Sequence, residues 1–508
     1  MSLVQRLKKL ASETAIYGLS SIVGRMLNFL LFPYYSGFFP PDVYAPIGLL
    51  YISFVFFNIL YQYGMESAYL KYAAAAEAKT DKQRVFTTVT VSLVVSSVAL
   101  SGLILLLREP VGLLVFGGGA SAQDLNLLNY GALILLLDAL TVIPYAALRL
   151  ENRAIRFAVI RFINIGVNVG LNVLLLTLFE PRVEFIVIAN AVASGVALLL
   201  LVPEYARNVR AAFDAQLWRQ LLAFGLPFIP GGLGYAVAER VNVFFLDRMT
   251  DEQVRALYGS DIPQGVADAP DYVVGAFTGI MKLVILMGLF VQMFRYAWQP
   301  FFLNHAKDDD APQLFATTFT VLHVGLLFVL LGLSFYVAEL VAWDIPGSRT
   351  YLIAPSYWMA LPILPIGLLG YLFQGWYYTF SAGAYLTNKT KLFVPCTLAG
   401  AAVAVVVNAL LVPHSGMVAA AWATTLAYAT MALLLWLLIR RHYAVPYQWG
   451  RVLLASVVAL ALFLTWHYTP ALQVWYVEAG LLAAYVVALL LLGIIPRRYL
   501  LRIIRRPS

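Results

Sequence analysis

Charge is what this chain has least of. Of its 508 residues only 12% are Asp, Glu, Lys or Arg, against 62% hydrophobic, and the mean hydropathy is +0.81. A soluble globular chain carries about 25% charged residues, so half that proportion over this length excludes an ordinary water-facing fold. One cysteine, Cys396, excludes an intramolecular disulfide and reads as a small core residue. The five histidines are scattered without metal-ligand spacing, so no metal site is expected. The stretch GAYLTNKT, 383–390, misses a phosphate-binding GxxxxGK[ST] loop by one residue, because Asn388 stands where glycine is required. No water-soluble stretch is long enough to hold a domain for ATP hydrolysis, glycosyl transfer or nucleophilic catalysis. Neither an enzyme activity nor a cofactor is expected.

What is present is a succession of apolar stretches of about 20 residues, each long enough to cross a roughly 30 Å hydrocarbon core. Fourteen helices are predicted, near 13–36, 43–70, 86–107, 125–148, 154–178, 184–203, 218–246, 272–302, 312–341, 351–381, 391–411, 416–439, 451–468 and 472–494. The fold class is therefore an all-α polytopic membrane protein. The basic flank MSLVQRLKKL precedes a run longer than a signal-peptide core and without a small-residue cleavage site, so it reads as an uncleaved first span.

With the N-terminus cytoplasmic, twenty-four of the 34 Lys and Arg residues fall in cytoplasmic segments. Only five, Arg108, Arg182, Arg248, Arg255 and Arg349, fall outside. This bias is the positive-inside signature, and it favours an even number of spans with both termini cytoplasmic. It also explains the net charge of +8 as orientation, so no nucleic-acid partner is expected.

Two stretches repeat. ENRAIRFAVIRFINIGVNVGLNVLLL contains Asn152 and Asn172, and TNKTKLFVPCTLAGAAVAVVVNALLV contains Asn388 and Asn408 at matching places. Small-residue helix starts, VIANAVAS and AAAWATT, follow each. Six spans followed by six in the same orientation imply two parallel-repeat six-helix lobes around a central cavity. The lobes are expected at 1–210 and 211–445, leaving two extra transmembrane helices and a basic cytoplasmic tail over 446–508.

In parallel-repeat transporters the substrate site lies between lobes near the midplane, beside broken helices. Expected spans 7 and 10 are rich in breakers, with Pro227, Pro230 and Gly231 in one and Pro355, Pro362 and Pro365 in the other. These suit either ordinary kinked packing or bending during alternating access.

Five basic residues sit inside expected spans: Arg25, Arg161, Arg240, Lys282 and Arg295. Arg25 is deepest, about twelve residues or about 18 Å into its helix. A guanidinium there costs at least about 2.5–3.5 kcal/mol unless it meets water or a partner. Arg240 and Arg295 lie about two turns from an interface and could snorkel to it, as could Arg161. Lys282 is deeper. Lys282 and Arg295 are thirteen residues apart, within about 140° around a helix, so they need not share a face. The candidate substrate contacts are Arg25, Arg240, Lys282 and Arg295, which together suit an anionic head group such as a pyrophosphate. The candidate ion-coupling acids are Asp138, mid-span, with Glu66 and Glu239 nearer helix ends; a buried carboxylate can exchange a proton near neutral pH.

The segment YGLSSIVGRMLNFLLFPYYSGFFPPDVYAPIGLLY with YQYGMESAYLKY, and the later YLTNKTKLFVPCTLAGAAVAVVVNALLVPHSGMVAAAWATTLAYATMALLLWLLIRRHYAVPY, resemble polysaccharide flippases of the Wzx-like branch. That branch belongs to the multidrug/oligosaccharidyl-lipid/polysaccharide exporter (MOP) superfamily. The resemblance spans nearly the whole chain through diffuse motifs. It implies a V-shaped pair of six-helix lobes in the bacterial inner membrane, carrying undecaprenyl-pyrophosphate-linked oligosaccharide from the cytoplasmic to the periplasmic leaflet. It also implies cationic cavity residues on the first, seventh and eighth helices, places held here by Arg25, Arg240, Lys282 and Arg295. Further expectations are H+ or Na+ as coupling ion and association with polysaccharide assembly proteins, as in O-antigen and lipopolysaccharide synthesis. Competing readings are a peptidoglycan lipid-intermediate flippase, favoured by the two extra helices, and a multidrug cation antiporter, which would want an acidic cavity. A membrane-embedded glycan ligase would need large outer loops, whereas the longest here, about 247–271, is short and acidic.

Overall fold

The computed structural model describes residues 31–117, 120–210, 213–344 and 351–494. Arg25 and most of the first expected span lie outside them. Among the described residues, eleven helices are long and apolar enough to cross a membrane, and Trp475–Leu491 is a shorter apolar one. One of the eleven, Thr390–Ile439, holds two expected spans. The chain divides into two compact units, Met1–Gly279 and Ile280–Ser508.

The first unit contains α1 (Pro41–Gln62), α2 (Met65–Ala75), α3 (Lys79–Leu106), α4 (Arg108–Phe116), α5 (Ala122–Leu150), α6 (Ala154–Leu178), α7 (Glu184–Asn208), α8 (Ala215–Gly225), α9 (Phe228–Asp247) and α10 (Asp251–Tyr258). The next helix, α11 (Ala269–His305), begins in this unit and runs on into the second. α5 is central, packing on α1, α3 and α7. Its neighbours close over a core that includes Met65, Phe86, Val89, Leu93 and Leu221. The apolar side chains on the outer faces, such as Val95, Leu106 and Leu199, are exposed, as expected where the solvent is lipid.

Among the described residues four expected spans are interrupted. Span 9 divides at Tyr336 into Ala311–Phe335 and the short Val337–Val341. Span 2 breaks between α1 and α2 at Tyr63 and Gly64, both at positive φ. Span 7 is two helices, α8 and α9, where a single one was predicted. Asp214 caps α8 by accepting from the Leu217 N–H at 2.9 Å, and α9 starts at Phe228 behind Pro227. Proline lacks the N–H that would carry the hydrogen-bond ladder through this point. Span 10 was predicted to be helical from 351. Instead Pro355–Ile363 is a 3-10 turn with Pro362 inside it, and the α-helix starts only at Leu364.

The second unit continues α11 and adds α12 (Ala311–Phe335), α13 (Val337–Val341), α14 (Leu364–Leu386), α15 (Phe393–Ile439), α16 (Trp449–Tyr468) and α17 (Trp475–Leu491). α15 would be about 70 Å long if straight. Gly416, with φ 50° and ψ −128°, breaks it into two runs, at the place where spans 11 and 12 were expected to meet. α16 joins the unit through a polar relay. The Trp376 indole N–H donates to His323 Nδ1 at 3.2 Å, and His323 Nε2 meets Ser456 Oγ at 2.9 Å. The Ser456 hydroxyl donates to the Val452 carbonyl at 2.9 Å. Around it, Phe319 packs on Trp376, Phe380, Tyr447 and Trp449. α17 is tied to α16 by the Trp466 indole donating to Glu478 Oε1 at 2.9 Å.

The internal repeat has matching geometry. Asn152 and Asn388 both end a helix in the left-handed conformation, with φ of 56° and 55°. The N–H of the residue after each reaches back five residues, Arg153 to Leu148 O at 2.9 Å and Lys389 to Ala384 O at 2.8 Å. This is the Schellman closure, in which asparagine can replace glycine. Asn172 and Asn408 are both fully buried, and each amide donates to the carbonyl four residues earlier, at 2.8 and 2.7 Å. GAYLTNKT is thus a helix end and its closing turn.

Candidate functional site

Among the described residues, the candidates other than Glu66 fall into three groups. The first lies within the amino-terminal unit around Asp138, at mid-helix in α5. The Ser194 hydroxyl on α7 donates to Asp138 Oδ1 at 2.7 Å. One turn away on α7, Asn190 donates from Nδ2 to the Tyr51 hydroxyl on α1 at 3.0 Å. Arg161 on α6 is close enough for its charge to act on Asp138, and its guanidinium lies 4.2 Å over the Tyr145 ring. Three helices therefore place a carboxylate, an amide and two hydroxyl groups within otherwise apolar packing, and a fourth, α6, sets the exposed Arg161 beside them. Such a carboxylate can exchange a proton or meet a small cation. Arg161 stands at the exposed edge of this group, with the Tyr145 ring under its guanidinium.

The second group is on α9. The Arg240 Nη2 donates to Glu239 Oε1 at 2.8 Å. Both side chains are largely buried, 26% and 17% exposed. Sequence neighbours point about 100° apart on a helix, so this pair needs both side chains to turn along the surface. The pairing offsets one of the four expected cations.

The third group is on α11 in the second unit. Arg295 lies 4.8 Å over the Tyr378 ring of α14, with Nη1 3.5 Å from the Tyr378 hydroxyl. A cation–π contact of this kind holds a guanidinium in place over the ring face. Lys282 is half-buried, one and a half turns before Gly288. Gly288 packs closely on Tyr371 of α14.

Glu66, at the start of α2, is hydrogen-bonded to Arg149 at the end of α5. The nearby basic residues are also engaged. Arg153, Arg156 and Arg207 converge on Glu204, whose side chain is 2% exposed. Sequence reasoning counted these arginines as orientation signals and did not mark Glu204. Among the described residues no group of three or more His, Cys, Asp or Glu is arranged to hold a metal ion.

A chain of long apolar helices that carry charged side chains within their spans is built as a membrane transporter is, and comparison with known proteins agrees. The fold is similar to the lipid II flippase MurJ in an inward closed conformation, with a TM-score of 0.68 and 15% identity over 92% of this chain and 97% of that one. It is also similar to an inward-facing multidrug resistance MATE family transporter of the MOP superfamily, with a TM-score of 0.62 and 13% identity over 82% and 94%. A third likeness is to a MOP superfamily transporter from Pyrococcus furiosus described as having a binding pocket of reverse polarity. There the TM-score is 0.53 and the identity 14%, over 84% and 95%. No curated protein sequence matches. The family model described as polysaccharide biosynthesis protein matches residues 10–306, and the chain belongs to that family.

Proposed function

We propose that this protein is a flippase that carries undecaprenyl-pyrophosphate-linked oligosaccharide from the cytoplasmic to the periplasmic leaflet of the bacterial inner membrane. The observation that carries the reading is the presence of Arg240, Lys282 and Arg295 inside long apolar helices of a polysaccharide biosynthesis family member. Guanidinium groups match phosphate oxygens in a two-point fork, and an ammonium adds a point charge. With Arg25 from the first span, these residues would bind the pyrophosphate. The working lobes are the repeats 1–210 and 211–445, with 446–508 supplying the extra helices and the basic tail. Kinks at Pro227 and Pro362 would let spans 7 and 10 bend as access alternates. No bond is made or broken.

Asp138 is the favoured coupling residue for H+ or Na+, because Glu66 and Glu239 are held by Arg149 and Arg240. Assembly proteins for surface polysaccharide would supply and accept the glycan.

A second reading, transport of a peptidoglycan lipid intermediate, is supported by the likeness to the lipid II flippase over 92% of this chain. A multidrug cation antiporter fits less well, since Lys282 and Arg295 would repel its substrate.

The test is surface glycan in cells that lack their own flippase and express this chain. Arg25→Ala and Arg295→Ala are expected to abolish surface polysaccharide at wild-type membrane levels of protein. Full export by both well-expressed variants would reject the anion-binding role.

A further inference from the structure

A second charged region lies wholly within the amino-terminal unit, at the junction of α9, α10 and α11. A cavity of about 430 Å³ there is lined by Asp124, Asp247, Asp251, Asp268 and Asp271, with Arg248 as the one basic residue. Three of these carboxylates are used locally. Asp124 accepts from the Ser121 N–H and hydroxyl, both at 2.7 Å. Asp268 accepts from the Asp271 N–H at 3.1 Å. Asp251 accepts from Arg255 Nε at 2.6 Å and from the Ala269 N–H at 3.2 Å, and the Arg255 bond holds it below the usual carboxylate range.

Asp247 is different. Its side chain is 3% exposed, and the nearest cation is Arg248 Nη1, 3.5 Å from Oδ2. That oxygen accepts no hydrogen bond among the described residues, because Arg248 already donates to the Phe244 and Leu114 carbonyls at 2.9 and 2.7 Å. Asp247 is also the last residue of α9, where the unsatisfied carbonyls of a helix end add negative potential. Asp271, in the first turn of α11, interacts electrostatically with Asp247, Asp268 and Asp124. The wall behind Asp247 is Gly117, at φ 76°, where a Cβ would come within 2.7 Å of Oδ2. Among the lining residues Arg248 is the one counter-charge to five carboxylates, and a buried carboxylate so surrounded is costly without a further cation.

No three of these side chains are arranged to share a bare metal ion, and the cavity is large compared with the roughly 30 Å³ that one water occupies in the liquid. Magnesium keeps several of its waters and binds through one or two carboxylates. We infer that this cavity binds one hydrated divalent cation, held by Asp247 and Asp271 and bridged through water to Asp124 and Asp268. By the charge asymmetry of the loops it opens to the outer side. The ion offsets the repulsion that otherwise forces the end of α9 away from the start of α11.

The test uses the purified full chain in detergent, with Mg2+ as probe. Mg2+ after EDTA treatment is expected to raise Tm saturably beyond NaCl at matched ionic strength. Equilibrium dialysis is expected to find one Mg2+ per chain. Asp271→Asn and Asp247→Asn are each expected to lose the saturable shift and to start from a higher metal-free Tm, since each removes a repelling charge. If Asp247→Asn does not fold, Asp271→Asn alone decides. Equal effects of MgCl2 and matched NaCl, or a wild-type Mg2+ response in Asp271→Asn, would overturn the assignment.

Discussion

Asn152 and Asn388, at matching places in the two repeats, close their helices with the same left-handed backbone and the same return hydrogen bond. One sequence pattern has therefore produced one local structure twice. Asparagine tolerates this conformation, glycine does so without cost, and β-branched residues do not. Asn152→Gly and Asn388→Gly are expected to leave thermal unfolding in detergent nearly unchanged. Asn152→Val and Asn388→Val are each expected to cost about 1–2 kcal/mol. Unequal losses at the two sites would contradict their structural equivalence.

Glu204 offers a sharper stability test. Arg153 Nη1 donates to both its oxygens at 3.0 Å, and Arg156 Nε and Arg207 Nη2 lie at 2.8 and 2.9 Å. Removing one partner of a buried charge cluster leaves the others uncompensated, typically at about 3–5 kcal/mol. Because the arginines are about a third exposed, the lower end of that range is expected for Glu204→Ala. Glu151→Ala, at the exposed edge of the cluster, is expected to cost about 1 kcal/mol or less. Denaturant or thermal unfolding of the two variants, compared with wild type, checks the order.

Asp138 is the residue to test for ion coupling. Asp138→Asn keeps an oxygen for the Ser194 hydroxyl but cannot carry the negative charge. The variant is expected to insert and fold, and to lose the response of transport to an imposed proton or sodium gradient. Retention of that response in Asp138→Asn would move the coupling step elsewhere.

The spans were legible because burial in lipid leaves a crude, strong signal in hydropathy, and the expected division between 391–411 and 416–439 falls at Gly416. The repeat was legible through Asn152 and Asn388. Less legible were features that depend on distant segments meeting. Glu204 lies in α7, and two of its arginine partners lie 48 and 51 residues earlier; only helix packing brings them together. The acidic cavity is another case. The stretch 247–271 read as a short acidic loop, but Asp124 joins it from the start of α5, and the burial of Asp247 is a tertiary fact. The α8–α9 break was half legible. Pro227 and Pro230 marked it, yet continuous hydropathy across the two helices read as one span.

The account rests on an anionic lipid-linked glycan as cargo. Its most direct test is translocation in proteoliposomes containing only this chain, with a fluorescent undecaprenyl-pyrophosphate-linked oligosaccharide whose outer-leaflet fraction is bleached by an impermeant reductant. The account predicts that wild type exposes nearly all of the probe to the reductant, while Arg25→Ala and protein-free vesicles protect the inner half. Protection of the inner half by wild type as well, or equal flipping by wild type and Arg25→Ala, would contradict it.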